Sequence, residues 1–350
     1  MSYCRKCGAK LEDGAKYCHV CGASVAVPSV AEHARRERMP LFVPAIVLIA
    51  LLVTAFVIAV FVFLPVRTVD IRESRYVPSR VGVDKIELIL TADAANVNVT
   101  FENLTDELVT LNVSANGGVG AFVPTNLLNI AFNYTVVGNT LTVTSNVNTV
   151  LRWPTSSWLY ITCDLRLDQS MNSSINVRTN TGRIAMKAQS GIVLDSLNLE
   201  TTTGEIEAKL KDSIVKGAVS FTTTTGAIKF SWTNIIAKNN ISVNTKTTTG
   251  PIIINATQDD RLLSNVTMNI EATTGGIQFN MTIHDNVGTK IESKVTLGVI
   301  NVHKQVGFAG STSSLQSRNY PASNNFDVDL KTTTGGIDID AEYAPSGVPA

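Results

Sequence analysis

Apolar and polar residues alternate with a period of two along most of the chain after residue 83, and the alternation restarts at recurring glycines. An apolar residue stands two and four positions after each glycine, as Ile228 and Phe230 do after Gly226. This spacing predicts a β-strand with one buried face after every glycine. The glycines that align in this way are Gly182, Gly204, Gly226, Gly250, Gly275, Gly298 and Gly335.

The spacings between these glycines are 22, 22, 24, 25, 23 and 37 residues, a period typical of stacked repeats. Five of the seven repeats also carry apolar residues seven and five positions before the glycine, as Leu197 and Leu199 do before Gly204. An unbroken strand would turn the two sets to opposite faces, so a corner at the glycine is needed. We therefore predict a mainly β fold, a β-solenoid resembling a right-handed parallel β-helix, over residues 83–343. Hairpin repeats or an antiparallel β-sandwich remain the alternative.

The threonines that precede most of these glycines predict ladders of β-branched side chains whose hydroxyl groups bond between coils. The residues just after the glycines vary freely, as outward positions would, and show no binding code. In the stretch WLYITCDLRL, the alternation places Cys163 inward as a small buried residue. Residues 303–325, which are rich in Ser, Asn and Gly, are expected to form a disordered insertion that loops out of the stack.

The T-G-x-I-x-I units of residues 83–342 resemble a bacterial and archaeal family of proposed adhesins with β-solenoid domains, whose repeats read S-G-D-I. Here Thr replaces Ser, and the Asp is missing. The resemblance implies a solenoid repeat domain on the cell surface. If the domain is a surface module, we expect its outer strips to contact a surface glycan or an envelope protein.

The longest apolar run, residues 41–64, carries no charge. As a helix it would be about 36 Å long, enough to cross a hydrocarbon core of about 30 Å. It predicts a single transmembrane helix. A cleaved signal peptide is the competing interpretation, but its apolar core would be shorter and would lie nearer the N-terminus.

Four of the five cysteines form two Cys-x-x-Cys pairs near the N-terminus, each followed by glycine. Such pairs bring four thiolates to one tetrahedral Zn²⁺, so we predict a structural zinc site with Cys4, Cys7, Cys18 and Cys21 as ligands. Two disulfides are the alternative. His19 is expected to be exposed rather than a ligand. The stretch resembles the short N-terminal zinc ribbons of archaeal and bacterial membrane proteins.

Arginines flank the apolar run on both sides in similar numbers, so the positive-inside rule does not decide the orientation. Reduced thiolates belong in the cytoplasm, and we therefore expect the N-terminus inside and the repeat domain outside. The nine N-x-[ST] sequons all follow the apolar run. The predicted order is a zinc ribbon at 1–25, a basic juxtamembrane linker at 26–40, the transmembrane helix at 41–64, a linker at 65–82, the solenoid at 83–343 and a tail at 344–350.

A formal net charge of zero gives no reason to expect nucleic acid as a partner. We also expect no enzyme, because the acidic pairs Asp259/Asp260 and Asp338/Asp340 fall at a loop and at alternating outward positions. The pattern favours a membrane-anchored surface module, structural or adhesive, with membrane lipid as a further partner. The alternative is an envelope-sensing transducer whose zinc ribbon recruits a cytoplasmic protein.

Overall fold

The computed structural model describes residues 2–25, 42–63, 67–120, 126–150, 158–259, 261–284 and 286–344. Contacts divide the chain into two compact units, Met1–Val57 and Ile58–Ala350. The predicted basic linker at 26–40 and nearly all of the predicted tail at 344–350 lie outside the described residues.

The N-terminal cysteine module is held by short strands rather than by a large core. Strand β1 (Ser2–Tyr3) pairs antiparallel with β2 (Lys10–Leu11), and Tyr17 forms an isolated bridge with Ser24. Its buried residues are two cysteines and one leucine. So small a core cannot stabilise a fold alone, which is why the cysteines matter structurally.

The apolar run forms helix α1 (Phe42–Phe63), in agreement with the predicted helix. Side chains are described for residues 45–59 of this helix, and nearly all of them are exposed. In the part of the chain that the structure describes, no helix was found to be both long and apolar enough to cross a membrane.

The repeat domain is built entirely from strands in the residues described. In chain order they are β3 (Arg67–Pro78), β4 (Lys85–Ala94), β5 (Asn96–Glu102), β6 (Glu107–Val119), β7 (Leu128–Val137), β8 (Thr140–Thr149), β9 (Trp158–Asp168), β10 (Asn172–Thr181), β11 (Ile184–Ala188), β12 (Val193–Thr203), β13 (Ile206–Lys211), β14 (Ile214–Val215), β15 (Val219–Thr225), β16 (Ile228–Thr233), β17 (Ile236–Ala237), β18 (Ile241–Thr249), β19 (Ile252–Gln258), β20 (Val266–Thr274), β21 (Ile277–Ile283), β22 (Val287–Leu297), β23 (Ile300–Val306), β24 (Phe308–Ser311), β25 (Ser314–Ser317), β26 (Asn324–Thr334) and β27 (Ile337–Tyr343).

These strands form two large sheets. Sheet I has the order β24-β25-β22-β26-β20-β18-β15-β12-β10-β4-β8-β7, with β14 paired to β12 and β17 paired to β14. Sheet II has the order β23-β27-β21-β19-β16-β13-β11-β5-β9-β6-β3. Each repeat therefore places one strand in each sheet, and we call such a pair of strands a rung.

Rungs that are neighbours in the stack pair in parallel and in register in both sheets. Leu197 lies opposite Val219 in sheet I, and Ile206 lies opposite Ile228 in sheet II. Parallel neighbours are what a coil produces, whereas hairpins would give antiparallel ones. The repeats therefore stack as a β-solenoid, and the alternative of hairpin repeats or an antiparallel sandwich is wrong for this part of the chain.

One continuous core lies between the two sheets. The residues two and four positions after the glycines are buried in six of the seven repeats, and those at the edge strand β23 are half-buried. The largest side chains, including Phe221, Phe230 and Trp232, pack edge to face or tilted against one another. The predicted inward face is therefore confirmed, and it includes Cys163.

The corner glycines are required for two separate reasons. Gly226 has a φ of 155°, a conformation that side-chain-bearing residues rarely adopt. A Cβ atom there would also lie 1.8 Å from the carbonyl oxygen of Gly204 on the neighbouring rung. Each rung therefore approaches the next so closely at the corner that only glycine fits.

The last two rungs are stacked in the reverse of their chain order. The rung β26–β27 comes last in sequence but lies between β20–β21 and β22–β23. Within residues 303–325, the expectation of a disordered loop is wrong, because β24 and β25 form a hairpin that extends sheet I beyond β22. Adding an antiparallel hairpin covers an edge that would otherwise expose unpaired backbone groups.

The other end of the stack is closed in a similar way. Strand β6 pairs antiparallel with β9, β7 with β8, and β3 with β6. Strand β3 lies within residues 65–82, the segment expected to be a linker, so sheet II begins at Arg67. Its alternating charges, such as Asp70 and Arg72, suit an edge strand.

Candidate metal centre and the surface of the repeat domain

The threonine before each corner has a specific role that the ladder prediction only partly anticipated. Thr223, three positions before Gly226, is buried, and its hydroxyl donates a hydrogen bond of 3.2 Å to the carbonyl of Gly204 on the preceding rung. The same bond is made by Thr179 to Ala95, Thr201 to Gly182, Thr247 to Gly226 and Thr332 to Gly275, at 3.0–3.3 Å. The hydroxyls do bond between rungs, and they satisfy a carbonyl group at the corner.

The outer faces of both sheets carry cross-rung polar pairs. Arg178 pairs with Glu200 at 2.5 Å, and Lys246 pairs with Glu271 at 3.2 Å. Asparagine amides also stack along the coil, Asn255 accepting a bond of 2.8 Å from Asn280. Exposed pairs of this kind contribute little stability each, but they keep outward side chains in straight rows.

Two of the acidic residues that we considered for catalysis, Asp338 and Asp259, have hydrogen-bond or ion-pair partners. Asp338 accepts hydrogen bonds from Asn301 and His303, and these bonds hold the pKa of its carboxyl below the usual range. Asp259 pairs with Arg261 at 2.7 Å, while Asp260 lies outside the described residues. Burial raises the pKa of the Cys163 thiol to about 12, so it is a poor nucleophile at neutral pH.

A buried glutamine was missed by the sequence analysis. Gln258, at the end of β19, is fully buried; its side-chain oxygen accepts bonds from the Trp232 indole at 2.8 Å and from the Ile235 backbone at 3.1 Å. Its amide nitrogen donates to the carbonyl of Ile235 at 3.2 Å. The only sequence signal was a polar residue at an inward position of its strand.

The N-terminal cysteines are presented by two equivalent turns. The backbone N–H of Gly8 donates to the carbonyl of Cys4 at 2.9 Å, and that of Gly22 donates to the carbonyl of Cys18 at 2.8 Å. Both glycines have positive φ, 73° and 67°, as the predicted relief of a tight turn requires. The repeated turn places the two Cys-x-x-Cys pairs facing each other.

The four sulfur atoms lie within 4.8 Å of one another. The Sγ atoms of Cys4 and Cys21 are 3.6 Å apart, as are those of Cys7 and Cys18. A tetrahedral zinc with bonds of about 2.3 Å holds its sulfur ligands about 3.8 Å apart, whereas a disulfide would require about 2.05 Å. The residues therefore fit a Zn²⁺ ion, and all four cysteines are free of disulfides.

Residues 3–25 match the family model of the zinc-ribbon domain. Residues 3–25 are a zinc ribbon. The predicted zinc is thereby supported both by the family match and by the geometry of the four thiols. A comparison with curated protein sequences found no match to the chain.

Three solved structures align with most of the chain. They are a proposed cell adhesion protein from Clostridium sporogenes (15% identity, TM-score 0.38, covering 78% of this chain and 100% of that one), a proposed adhesin from Bacteroides fragilis (12%, 0.33, 77% and 97%) and a proposed adhesin from Parabacteroides distasonis (12%, 0.22, 78% and 97%). TM-scores below 0.5 do not establish a shared fold.

The pKa values of two thiols of the ribbon, Cys4 and Cys21, are shifted in opposite directions. Backbone hydrogen bonds from Lys6 and Cys7 lower the pKa of Cys4 to about 6. The N–H of Ala23 acts in the same direction on Cys21, but hydrogen bonding with Cys7 and desolvation outweigh it and raise the pKa of Cys21 to about 12. A bound Zn²⁺ would supply positive charge that favours the thiolate form of its cysteine ligands.

The ribbon has the features of a structural site. Four cysteines complete a tetrahedral shell and leave no position for a catalytic water. His19 is exposed and is not part of the sulfur cluster, as expected. When bound, the metal would hold the two turns together, which is a structural role.

Proposed function

We propose that this protein is a membrane-anchored module of a bacterial or archaeal cell surface, with a structural or adhesive role. In this proposal helix α1 crosses the membrane, the zinc ribbon lies in the cytoplasm, and the repeat domain lies outside. The proposal includes no enzymatic activity.

The surface of α1 supports the anchor. Its described side chains are apolar on every side, and large ones such as Ile46, Leu52 and Phe56 are exposed. A helix that is apolar all round is found in the centre of a large protein or in a membrane. Residues 41–64 contain no charged residue, which suits the hydrocarbon of a bilayer.

The observation that carries the functional proposal is the register of the stack. Because neighbouring rungs pair residue for residue, outward side chains form straight rows across the sheets, spaced by about 4.8 Å. Such rows form a long, rigid, polar surface. A surface of this kind can contact extended ligands such as surface glycans or envelope proteins over many rungs.

Adhesion of cells that express the protein tests this role. Cells with the full chain should adhere to one another, or to a glycan-coated surface, more strongly than cells whose protein ends after residue 66. A chain with Cys4→Ser and Cys7→Ser is the matched control, because it damages only the ribbon and should leave adhesion unchanged. Equal adhesion with and without residues 67–344 would contradict the adhesive role.

A second function is favoured by the surface of the ribbon. Tyr3, Tyr17 and Val20 are 59%, 66% and 64% exposed in this small module. Exposed apolar side chains that form one continuous patch are typical of partner-binding surfaces, and three in a module of this size are candidates for such a patch. If the repeat domain senses the envelope, the ribbon would recruit a cytoplasmic protein through these residues.

A pull-down with residues 1–40 should then retain a specific protein that is lost with Tyr17→Ser. Equal recovery with both baits would contradict recruitment through this surface.

A further inference from the structure

A groove crosses the outer face of sheet II where β11, β13 and β16 lie side by side. It has a volume of about 410 Å³. Three lysines line it together with short polar side chains. Because Lys187 and Lys209 are exposed outward residues of adjacent rungs, their charges point to the same solvent space.

The lysines form a like-charged cluster on the outer face of sheet II. Lys187 lies directly opposite Lys209 across β11 and β13, and Lys211 follows Lys209 on the same face. Like charges at opposed positions destabilise a sheet. Arg178 and Glu200, which are opposed in the same way in sheet I, form an ion pair instead, whereas Lys294 lies opposite Lys331 between β22 and β26.

The acidic residues beside the groove are already engaged. Asp212 lines the groove itself, but it pairs with Arg261 at 2.8 Å. Glu207 is shared between Arg183 and Lys209. In the part of the chain that the structure describes, no ion pair is found for Lys187 or Lys211, so the groove carries uncompensated positive charge.

The other residues that line the groove indicate which class of anionic ligand it would bind. Gln189, Ser190, Ser231 and Thr233 offer amide and hydroxyl groups, which suit the hydroxyl groups of a sugar. None of the described residues that line the groove is aromatic, whereas single-stranded nucleic acids are bound by stacking on aromatic rings. The surface is concave and lacks large exposed apolar residues, which disfavours a bilayer surface.

We propose that this groove binds an acidic polysaccharide, with Lys187, Lys209 and Lys211 pairing with its carboxylate or sulfate groups. The polymer would run along the solenoid axis from rung to rung, with the hydroxyl side chains of β16 contacting its neutral groups. This inference rests on the proposed surface function, because it identifies the class of glycan that the repeat domain meets.

Binding by the full chain, purified in detergent, tests the groove. Polygalacturonate, dextran sulfate and neutral dextran would be immobilised, and binding would be measured at low and at physiological salt. The groove variant is Lys187→Gln, Lys209→Gln and Lys211→Gln. The matched control is Lys238→Gln, Lys246→Gln and Lys294→Gln, which removes the same charge from exposed lysines outside the groove.

We expect the wild type and the control to bind at least one of the two acidic polymers and to ignore dextran. The groove variant should lose roughly tenfold or more in affinity, since the two uncompensated lysines and Lys209, which Glu207 already engages, all lose their charge. Binding to polygalacturonate but not dextran sulfate identifies carboxylate as the recognised group, and the reverse identifies sulfate.

Equal loss in the two triple variants, or no binding to either acidic polymer, would overturn the proposal. Equal or stronger binding to single-stranded DNA or to anionic vesicles, measured in parallel, would overturn the ligand class. Adhesion of cells that carry the groove variant separates the two proposals. Unchanged adhesion there would reject this groove while leaving the surface module intact.

Discussion

The hydroxyl of Thr223 should contribute more to the free energy of unfolding than the hydroxyl of its neighbour Thr224. Thr223→Val keeps the shape of the side chain but removes the donor to the carbonyl of Gly204, a bond of 3.2 Å at a residue only 1% exposed. Leaving a buried acceptor without its partner costs about 1–3 kcal/mol. The added methyl group regains up to about 0.8 kcal/mol by burial. We therefore expect a net loss of about 1–2 kcal/mol.

Thr224→Val is the matched control, because Thr224 is exposed and has no paired residue in the register between β15 and β18. Its effect should stay within about 0.5 kcal/mol. One rung offers the reverse experiment, since Ala272 occupies the position that Thr223 holds. Ala272→Thr should place a hydroxyl near the carbonyl of Gly250 and stabilise the domain by about 0.5–1 kcal/mol.

Urea unfolding of residues 66–350, followed by the fluorescence of the buried Trp232, measures these differences. The transition midpoints are compared at constant slope, so that a shift reports stability. Equal losses for Thr223→Val and Thr224→Val would refute the assignment of the hydroxyl to the corner. No loss for Thr223→Val would refute it as well.

The remaining predictions concern the corner, the core and the metal. Gly226→Ala should prevent the stack from forming, because its Cβ would lie 1.8 Å from a neighbouring carbonyl; a soluble, cooperatively unfolding variant would contradict the close approach. Ile228→Ala should cost about 2–5 kcal/mol and exposed Lys229→Ala no more than about 0.5, by the same urea assay; equal costs would show that the assigned facing is wrong. Gln258→Leu should cost about 1–3 kcal/mol because a buried indole N–H and a backbone N–H lose their acceptor, and an unchanged midpoint would contradict that role. A peptide of residues 1–25 should bind one zinc and lose its structure with chelator, as followed by circular dichroism; a folded, metal-free peptide would contradict a structural site.

The local elements were accessible from the sequence because they depend on short-range patterns. The period-2 alternation identifies the inward residues, and the corner glycines mark where the strand direction changes. The four zinc ligands could be predicted equally well, because a metal site in so small a module is recognised from the spacing of its cysteines.

The order of the rungs was not accessible, because it depends on contacts between distant segments. Nothing in residues 324–343 indicates that this rung inserts between two earlier ones. The Ser-rich segment before it reads as a loop by composition, yet it folds against the open edge of β22, where its backbone groups find partners.

The partners of individual side chains were equally hidden. The acceptor for Thr223 lies 19 residues back in the chain, and the lysine groove exists only because three rungs align. Such contacts depend on the register between rungs, which the sequence specifies only through the full set of inward residues.

The orientation of the chain tests the proposed function most directly. Intact cells that express the full chain would be treated with a membrane-impermeant amine-reactive biotin, and the labelled lysines would be identified by mass spectrometry. Lys6, Lys10 and Lys16 are exposed in the ribbon, and Lys187 and Lys238 are exposed in the repeat domain. The account predicts labelling of the repeat-domain lysines alone in intact cells and of all five after lysis. Labelling of the ribbon lysines in intact cells, or protection of the repeat-domain lysines until lysis, would contradict a surface module with a cytoplasmic zinc ribbon.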